Sequence, residues 1–387
     1  MYSALAEDLA SSGIDVSVVT GQPSYSEAGQ AYRKKWSLIE SNLEGKVRVI
    51  RVIVPKAGRT NIPARIANVL MFNILAAVSI LFFVSADTAI VVNPAMYTCF
   101  PSLALRLKGV VIHYRVHDLY PDIGVRLGIT RGKATIHVLE FLETSCYRMA
   151  KEISVVSRGF LPHLISRGID RGIITVIRDW EDTDVIFPRG KDNPFAIRYG
   201  YDSKFVVFYG GNLGRSQGLE FLLDTAAQLP ASTNILFLFV GEGALQDELI
   251  RRAQELRLSN VRFHPFQPAE SLNDVYGAAD VGIVSLLPDV SPEWCPAKIY
   301  SNMAAGLPIL GIVDEGGEAA RTIKEAGCGI RIVFGDCEGL IDAIKGLQSD
   351  PDRCEHMGLS GRAYVVAHAS RTACVSVLRE SLERISA

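Results

Sequence analysis

Short apolar runs and longer stretches of mixed apolar and polar residues take turns along almost the whole chain. In the first half, Asp15–Thr20, Val47–Val54, Thr88–Asn93, Val110–Val116, Ile153–Ser157 and Ile173–Ile177 read as strands. Between them Ala64–Phe83, Ser102–Leu107, Thr135–Met149 and Leu161–Arg167 read as helices. The second half repeats the scheme, with strands at Phe205–Tyr209, Ile235–Val240, Val261–His264, Val281–Ser285, Ile309–Ile312 and Gly329–Val333, each followed by a helical stretch. Strands that alternate with helices specify a parallel α/β sheet, and two such series specify two doubly wound domains.

The segment Phe187–Pro194, with two prolines, a glycine and a cluster of charges, separates the two series. The expected organisation is a first Rossmann-like domain over 1–187, a linker over 188–200, a second domain over 201–360, and a closing helix within 361–387 that crosses back to the first. Ligands bind at the carboxyl ends of the strands in such domains, so two facing edges predict one cleft.

Composition narrows the function classes. The 387 residues are 48% hydrophobic and 21% charged, which excludes collagen-like, low-complexity and coiled-coil chains. A net charge of −2 gives no footprint for nucleic acid as a partner. Locally the balance differs. Between Arg33 and Arg65 nine Lys or Arg stand against Glu40 and Glu44, a surplus of +7 suited to an anionic surface. Just beyond lies the longest apolar run, Val69–Val84, interrupted only by Asn73 and Ser79. A full membrane span needs about 20 residues, so the run reads either as a helix buried against strands or as one that also touches a membrane interface. Seven scattered cysteines without a C-x-x-C pair predict neither a disulfide framework nor a structural zinc site, and fit a reducing, cytoplasmic compartment. No carboxylate cluster suits Mg²⁺, and neither a metal nor another cofactor is expected.

Two loops carry candidate chemistry. The strand ending at Tyr209 runs into Gly210-Gly211-Asn212-Leu213-Gly214-Arg215-Ser216-Gln217-Gly218 and then into a helix. Glycines let the backbone approach a ligand, and a helix N-terminus offers unpaired N–H groups to phosphate. After Val281–Ser285 a long loop carries Glu293 and Lys298 to the start of another helix. Arg215 and Lys298 together would clamp a diphosphate. An ordinary βα turn and a solvated surface lysine remain the plainer readings of the same residues.

Several ordered motifs then fall into one pattern: Tyr209 to Glu220, Val240-Gly241-Glu242-Gly243, Val261-Arg262-Phe263, Ala279-Asp280-Val281-Gly282-Ile283 and Met303-Ala304-Ala305-Gly306-Leu307-Pro308. In the first half His117-Asp118-Leu119-Tyr120-Pro121-Asp122, Ser154-Val155-Val156-Ser157 and Asp179-Trp180-Glu181-Asp182-Thr183-Asp184 are collinear with it. This set resembles the family 4 retaining glycosyltransferases of GT-B fold, in particular the branch that builds exopolysaccharide and O-antigen units of the colanic-acid type. The resemblance implies transfer of a sugar from a nucleotide diphosphate donor, UDP-linked, to a lipid-linked or saccharide acceptor at the inner face of the cytoplasmic membrane.

Residue by residue, the resemblance implies that Gly211, Asn212, Arg215, Gln217, Glu242 and Lys298 hold the donor. It places Glu293 at the first glutamate of the family's E-x7-E pattern, against the donor sugar. The second, ribose-binding glutamate is replaced here by Ser301, and the family's usual loop arginine and lysine fall at Asn212 and Gln217. His117 and Asp118 complete the expected catalytic set, Asp118 either accepting a proton or capping a helix. The rival readings are a non-hydrolysing nucleotide-sugar epimerase and an inactive nucleotide-sugar-binding protein. The chain opens with a helix, Tyr2–Ser11, where the family has a strand and glycine-rich turn. That strand is central in the doubly wound order, so the expectation is that roughly 15 to 30 upstream residues complete the functional protein.

Overall fold

A computed structural model describes residues 1–21, 39–42, 46–54, 62–126, 130–230, 232–288 and 293–386. Residues 33–38, 43–45 and 55–61 of the basic segment Arg33–Arg65 and residues 289–292 of the long loop lie outside them. The chain divides into two compact units. One comprises Met1–Val156, Phe160–Ile177 and Val375–Ala387; the other comprises Ser157–Gly159 and Arg178–Cys374. Residues 188–200, expected as the linker, fall inside the second unit. There Asn193 caps the helix Pro194–Tyr199, and Phe195 and Ala196 are buried.

Strands of the first unit are β1 (Val16–Gly21), β2 (Ile39–Asn42), β3 (Val47–Val52), β4 (Thr88–Val92), β5 (Val111–Val116), β6 (Glu152–Val155) and β7 (Ile174–Val176). They form two sheets. One has the order β1-β3-β2, with β2 antiparallel to β3. The other is parallel, in the order β4-β5-β6-β7. β1 and β4 are each the edge of a separate sheet.

Helix Ile62–Phe83 departs from the buried reading. Its inward stripe, Asn73, Ala76, Ile80 and the following Val84, is buried. Asn73 fixes that stripe to the next helix, Ala95–Leu107, by donating to the Met96 carbonyl and accepting from Phe100 N at 3.4 Å. The remaining face is bare: Leu70, Ile74, Leu81 and Phe82 are exposed, Phe82 to 76%. By length and composition its segment Ile66–Phe83 is able to cross a membrane, and only 17% of it is buried. The helix continues N-terminal to the apolar run, which makes it longer than the run alone indicates. Lys108 donates to the carbonyls of Ile80, Leu81 and Val84, and Arg48 to that of Phe83, so two cations meet the negative end of the helix dipole.

The second unit holds β8 (Phe205–Gly210), β9 (Ile235–Val240), β10 (Val261–His264), β11 (Val281–Ser285), β12 (Ile309–Ile312) and β13 (Gly329–Ile332), all parallel in the order β10-β9-β8-β11-β12-β13. Apolar residues cover both faces. Val206 and Phe208 join one core and Val207 and Tyr209 the other, as the two-residue period of a strand dictates. β9 is buried at every position, which is why it reads as one unbroken apolar run.

The closing helix Arg371–Ser386 ties its last turns to the first unit. Ser381 hydrogen-bonds to His113 Nδ1 at 3.0 Å while Ser154 holds Nε2 at 2.8 Å. Arg384 donates to both oxygens of buried Glu152, at 2.7 and 2.9 Å. Burial lowers the His113 imidazole to about 4, so it enters this network neutral.

Candidate active site

In the second unit, β8 delivers Gly210 and Gly211 at its carboxyl end, and the neighbouring strand β9 delivers Gly241. The two turns interlock backbone to backbone. Gly241 has φ +152°, and a Cβ there would lie 1.9 Å from the Gly211 carbonyl oxygen; a Cβ on Gly243 would lie 2.4 Å from that of Leu213. Leu213 N donates to the Glu242 carbonyl at 2.9 Å. Only glycine permits this approach, which sets the two turns beside the 3-10 turn Arg215–Gln217, with the N–H groups of Gly211 and Gly241 spent on the Val240 and His264 carbonyls.

Lys298 begins the helix Lys298–Ala304 after β11. Its ammonium reaches back to Gly211, where a Cβ would stand 3.7 Å from Nζ. It donates to the Tyr209 hydroxyl and lies 3.9 Å from the centre of that ring. Burial lowers its pKa from 10.5 to about 7, because a partner that is only a phenol and a ring does not offset lost hydration. Tyr209 is fixed in turn by donating to the Asn212 carbonyl at 2.8 Å. The structure therefore brings Lys298, Gly211 and Asn212 together. Arg215 is exposed, and no hydrogen bond among the described residues joins it to Lys298. Glu242 is exposed on the second turn. Gln217 uses its Nε2 on Ser216 and its carbonyl on Ser285, leaving Oε1 buried without a hydrogen bond.

Glu293 is placed through its backbone. Ser157 donates to its carbonyl, and Gly159 packs so closely that a Cβ there would stand 2.7 Å from Glu293 Cα. Ser301, one turn past Lys298, donates to Glu181 Oε2.

In the first unit, His117 and Asp118 follow β5. Asn93 organises both, accepting from His117 N at 2.9 Å and donating to the Asp118 carbonyl. The His117 ring meets the Tyr2 hydroxyl and accepts from Arg115 Nε at 3.1 Å. Beneath this turn Glu143 accepts from Tyr147 at 2.8 Å and from Ala95 N at 3.4 Å, and burial raises it to about 7. Tyr209, Glu181, Asn93, Tyr2 and Glu143 escape the sequence reading. The first two stand inside quoted motifs and Asn93 ends a strand, but only folding supplies their partners.

Residues 195–364 match the family described as glycosyl transferases group 1, and residues 2–180 match the glycosyl transferase 4-like domain. A relative named as a glycosyltransferase, WbjE of Pseudomonas aeruginosa, is 31% identical over 242 residues, covering 61% of this chain and 60% of its own length. The similarity thus spans less than two thirds of that relative. WcaI of Escherichia coli K12, named for colanic acid biosynthesis, is 26% identical over 319 residues, covering 78% of this chain and 76% of its own. Among solved structures, sucrose-phosphate synthase from Thermosynechococcus elongatus superposes with a TM-score of 0.75 at 19% identity, covering 99% of this chain and 92% of its own. Anabaena HepE, solved with UDP, gives 0.69 at 16% identity, covering 95% of this chain and 100% of its own. Both halves and the ordered motifs agree: the chain belongs to the family 4 glycosyltransferases of GT-B fold, with a glycosyl transferase 4-like first half and a group 1 second half.

Proposed function

We propose that this chain is a retaining transferase that moves a sugar from a UDP-linked donor to a lipid-linked saccharide in cell-surface polysaccharide assembly. The observation that carries the donor side is Lys298, whose ammonium stands over the backbone turn of Gly211. Breaking a sugar–diphosphate bond puts negative charge on the leaving phosphate and positive charge on the anomeric carbon. A lysine in a partly dehydrated setting stabilises the first, and the Glu293 carboxylate stabilises the second. Arg215, exposed at the 3-10 turn, adds a cation that a bound diphosphate draws in. His117 and Asp118 are further candidates for catalysis, with Asp118 accepting the proton of the attacking hydroxyl.

The bare face of helix Ile62–Phe83, with Lys108 and Arg48 at its end, supports peripheral attachment to an anionic membrane, where a lipid-linked acceptor resides. Its cytoplasmic location is part of the same proposal. HepE, named in complex with UDP and with UDP-glucose, supports a UDP donor here. Incubating the purified chain with a panel of UDP-sugars and a membrane extract tests the reading. Sugar appearing in the lipid fraction supports it. Conversion of UDP-sugar without any acceptor favours an epimerase, and neither outcome with any donor refutes catalysis.

A further inference from the structure

We infer that Glu181 is the residue that grips the ribose of the nucleotide, in place of a carboxylate on the helix Lys298–Ala304 itself. The inference rests on the donor reading above. Lys298 and Ser301 are three residues apart on one helix, so they share a face and are separated by about one turn, roughly 5 Å. The Ser301–Glu181 pair therefore lies one helical turn from the residue that would hold the diphosphate. Ser301 has a single hydroxyl, and it spends that hydroxyl on Glu181 Oε2.

Glu181 is built into place. Its N–H donates to the Ala369 carbonyl at 3.0 Å and its own carbonyl accepts from Arg371 N at 2.9 Å. Its Oε1 accepts from Asp182 N at 2.9 Å. The nearby Arg371 guanidinium pairs with Asp182 at 3.1 Å. Among the described residues, then, the side-chain partners of Glu181 are a hydroxyl and an amide, both neutral. A carboxylate offers about four acceptor sites, and two are filled. The rest call for hydroxyl donors, and a vicinal diol is what a carboxylate recognises beside a bound dinucleotide in doubly wound folds.

Calorimetric titration of the full chain with UDP and with its 2′-deoxy analogue tests this. The unaltered protein should prefer UDP by about tenfold or more. Glu181→Gln should lose that preference, Ser301→Ala should narrow it, and Lys298→Ala should weaken both nucleotides equally while preserving it. Thermal melts identify a variant that fails to fold, and Ser301→Ala then carries the test. Equal binding of the two nucleotides by the unaltered protein, or a preference that survives Glu181→Gln, overturns the assignment and leaves the donor reading intact. No binding of either nucleotide by the unaltered protein overturns both.

Discussion

Binding of UDP should take up a proton, and Lys298 is the reason. Its ammonium titrates at about 7 in the unliganded chain, so about half of the molecules carry the charge at pH 7 and roughly a tenth at pH 8. A diphosphate beside Nζ restores an opposite charge and raises that pKa again. Each binding event therefore recruits about half a proton at pH 7 and nearly one at pH 8, and UDP affinity falls about tenfold per pH unit above 7. Stability runs the other way. The folded pKa lies below the ordinary 10.5, so between pH 7 and about 10 the unfolded chain holds a proton that the folded chain lacks. Unfolding free energy then rises by up to about 1.4 kcal/mol per pH unit from this group. Titration calorimetry at pH 8 in two buffers of different ionisation enthalpy reads the uptake directly. Lys298→Met should abolish it, together with the pH dependence of affinity. Identical binding enthalpies in the two buffers, or the same uptake in Lys298→Met, would refute the reasoning.

Gly241→Ala forces a methyl into the Gly211 carbonyl at a backbone angle few side chains adopt. The cost is about 2 to 5 kcal/mol, and a fall in melting temperature of about 5 °C or more checks it. Glu293→Gln, whose backbone anchors at Ser157 and Gly159 are untouched, should melt within about 3 °C of the parent yet lose at least about tenfold in turnover; full turnover would remove Glu293 from the mechanism. In low salt the protein should sediment with anionic vesicles, and Ile74→Glu together with Phe82→Glu should return most of it to the supernatant. Retention of the double variant on the vesicles would move the contact elsewhere.

The strands of the second unit are legible because each is a short apolar run ended by glycine or a polar turn, and burial on both faces leaves no competing pattern. β2 was not, since three of the four residues of Ile39–Asn42 are polar and it lies beside a charged segment. Apolar periodicity left two readings of helix Ile62–Phe83 open, because a helix apolar all round does not announce which stripe finds a neighbour. Asn73 is the exception in hindsight: an amide in such a run must reach a backbone, and it does. At the site, the glycines and Lys298 stood out by residue type and position. The Tyr209 and Glu181 contacts did not, because they join residues 89 and 120 positions apart. The same holds for His113 and Glu152, whose partners Ser381 and Arg384 come from the last helix, 268 and 232 positions away.

That last helix also fixes the order in which the molecule can be made. Ser381 meets His113 across 268 positions, and Arg384 meets Glu152 across 232. At roughly 5 to 20 residues per second, a ribosome delivers Arg384 about 10 to 45 s after Glu152. During that interval His113 has Ser154 but not Ser381, and Glu152 has Thr175 but no cation, while every strand of the second unit is synthesised. The half made first is thus completed last, and its final closure is a long-range contact of the kind that slows folding.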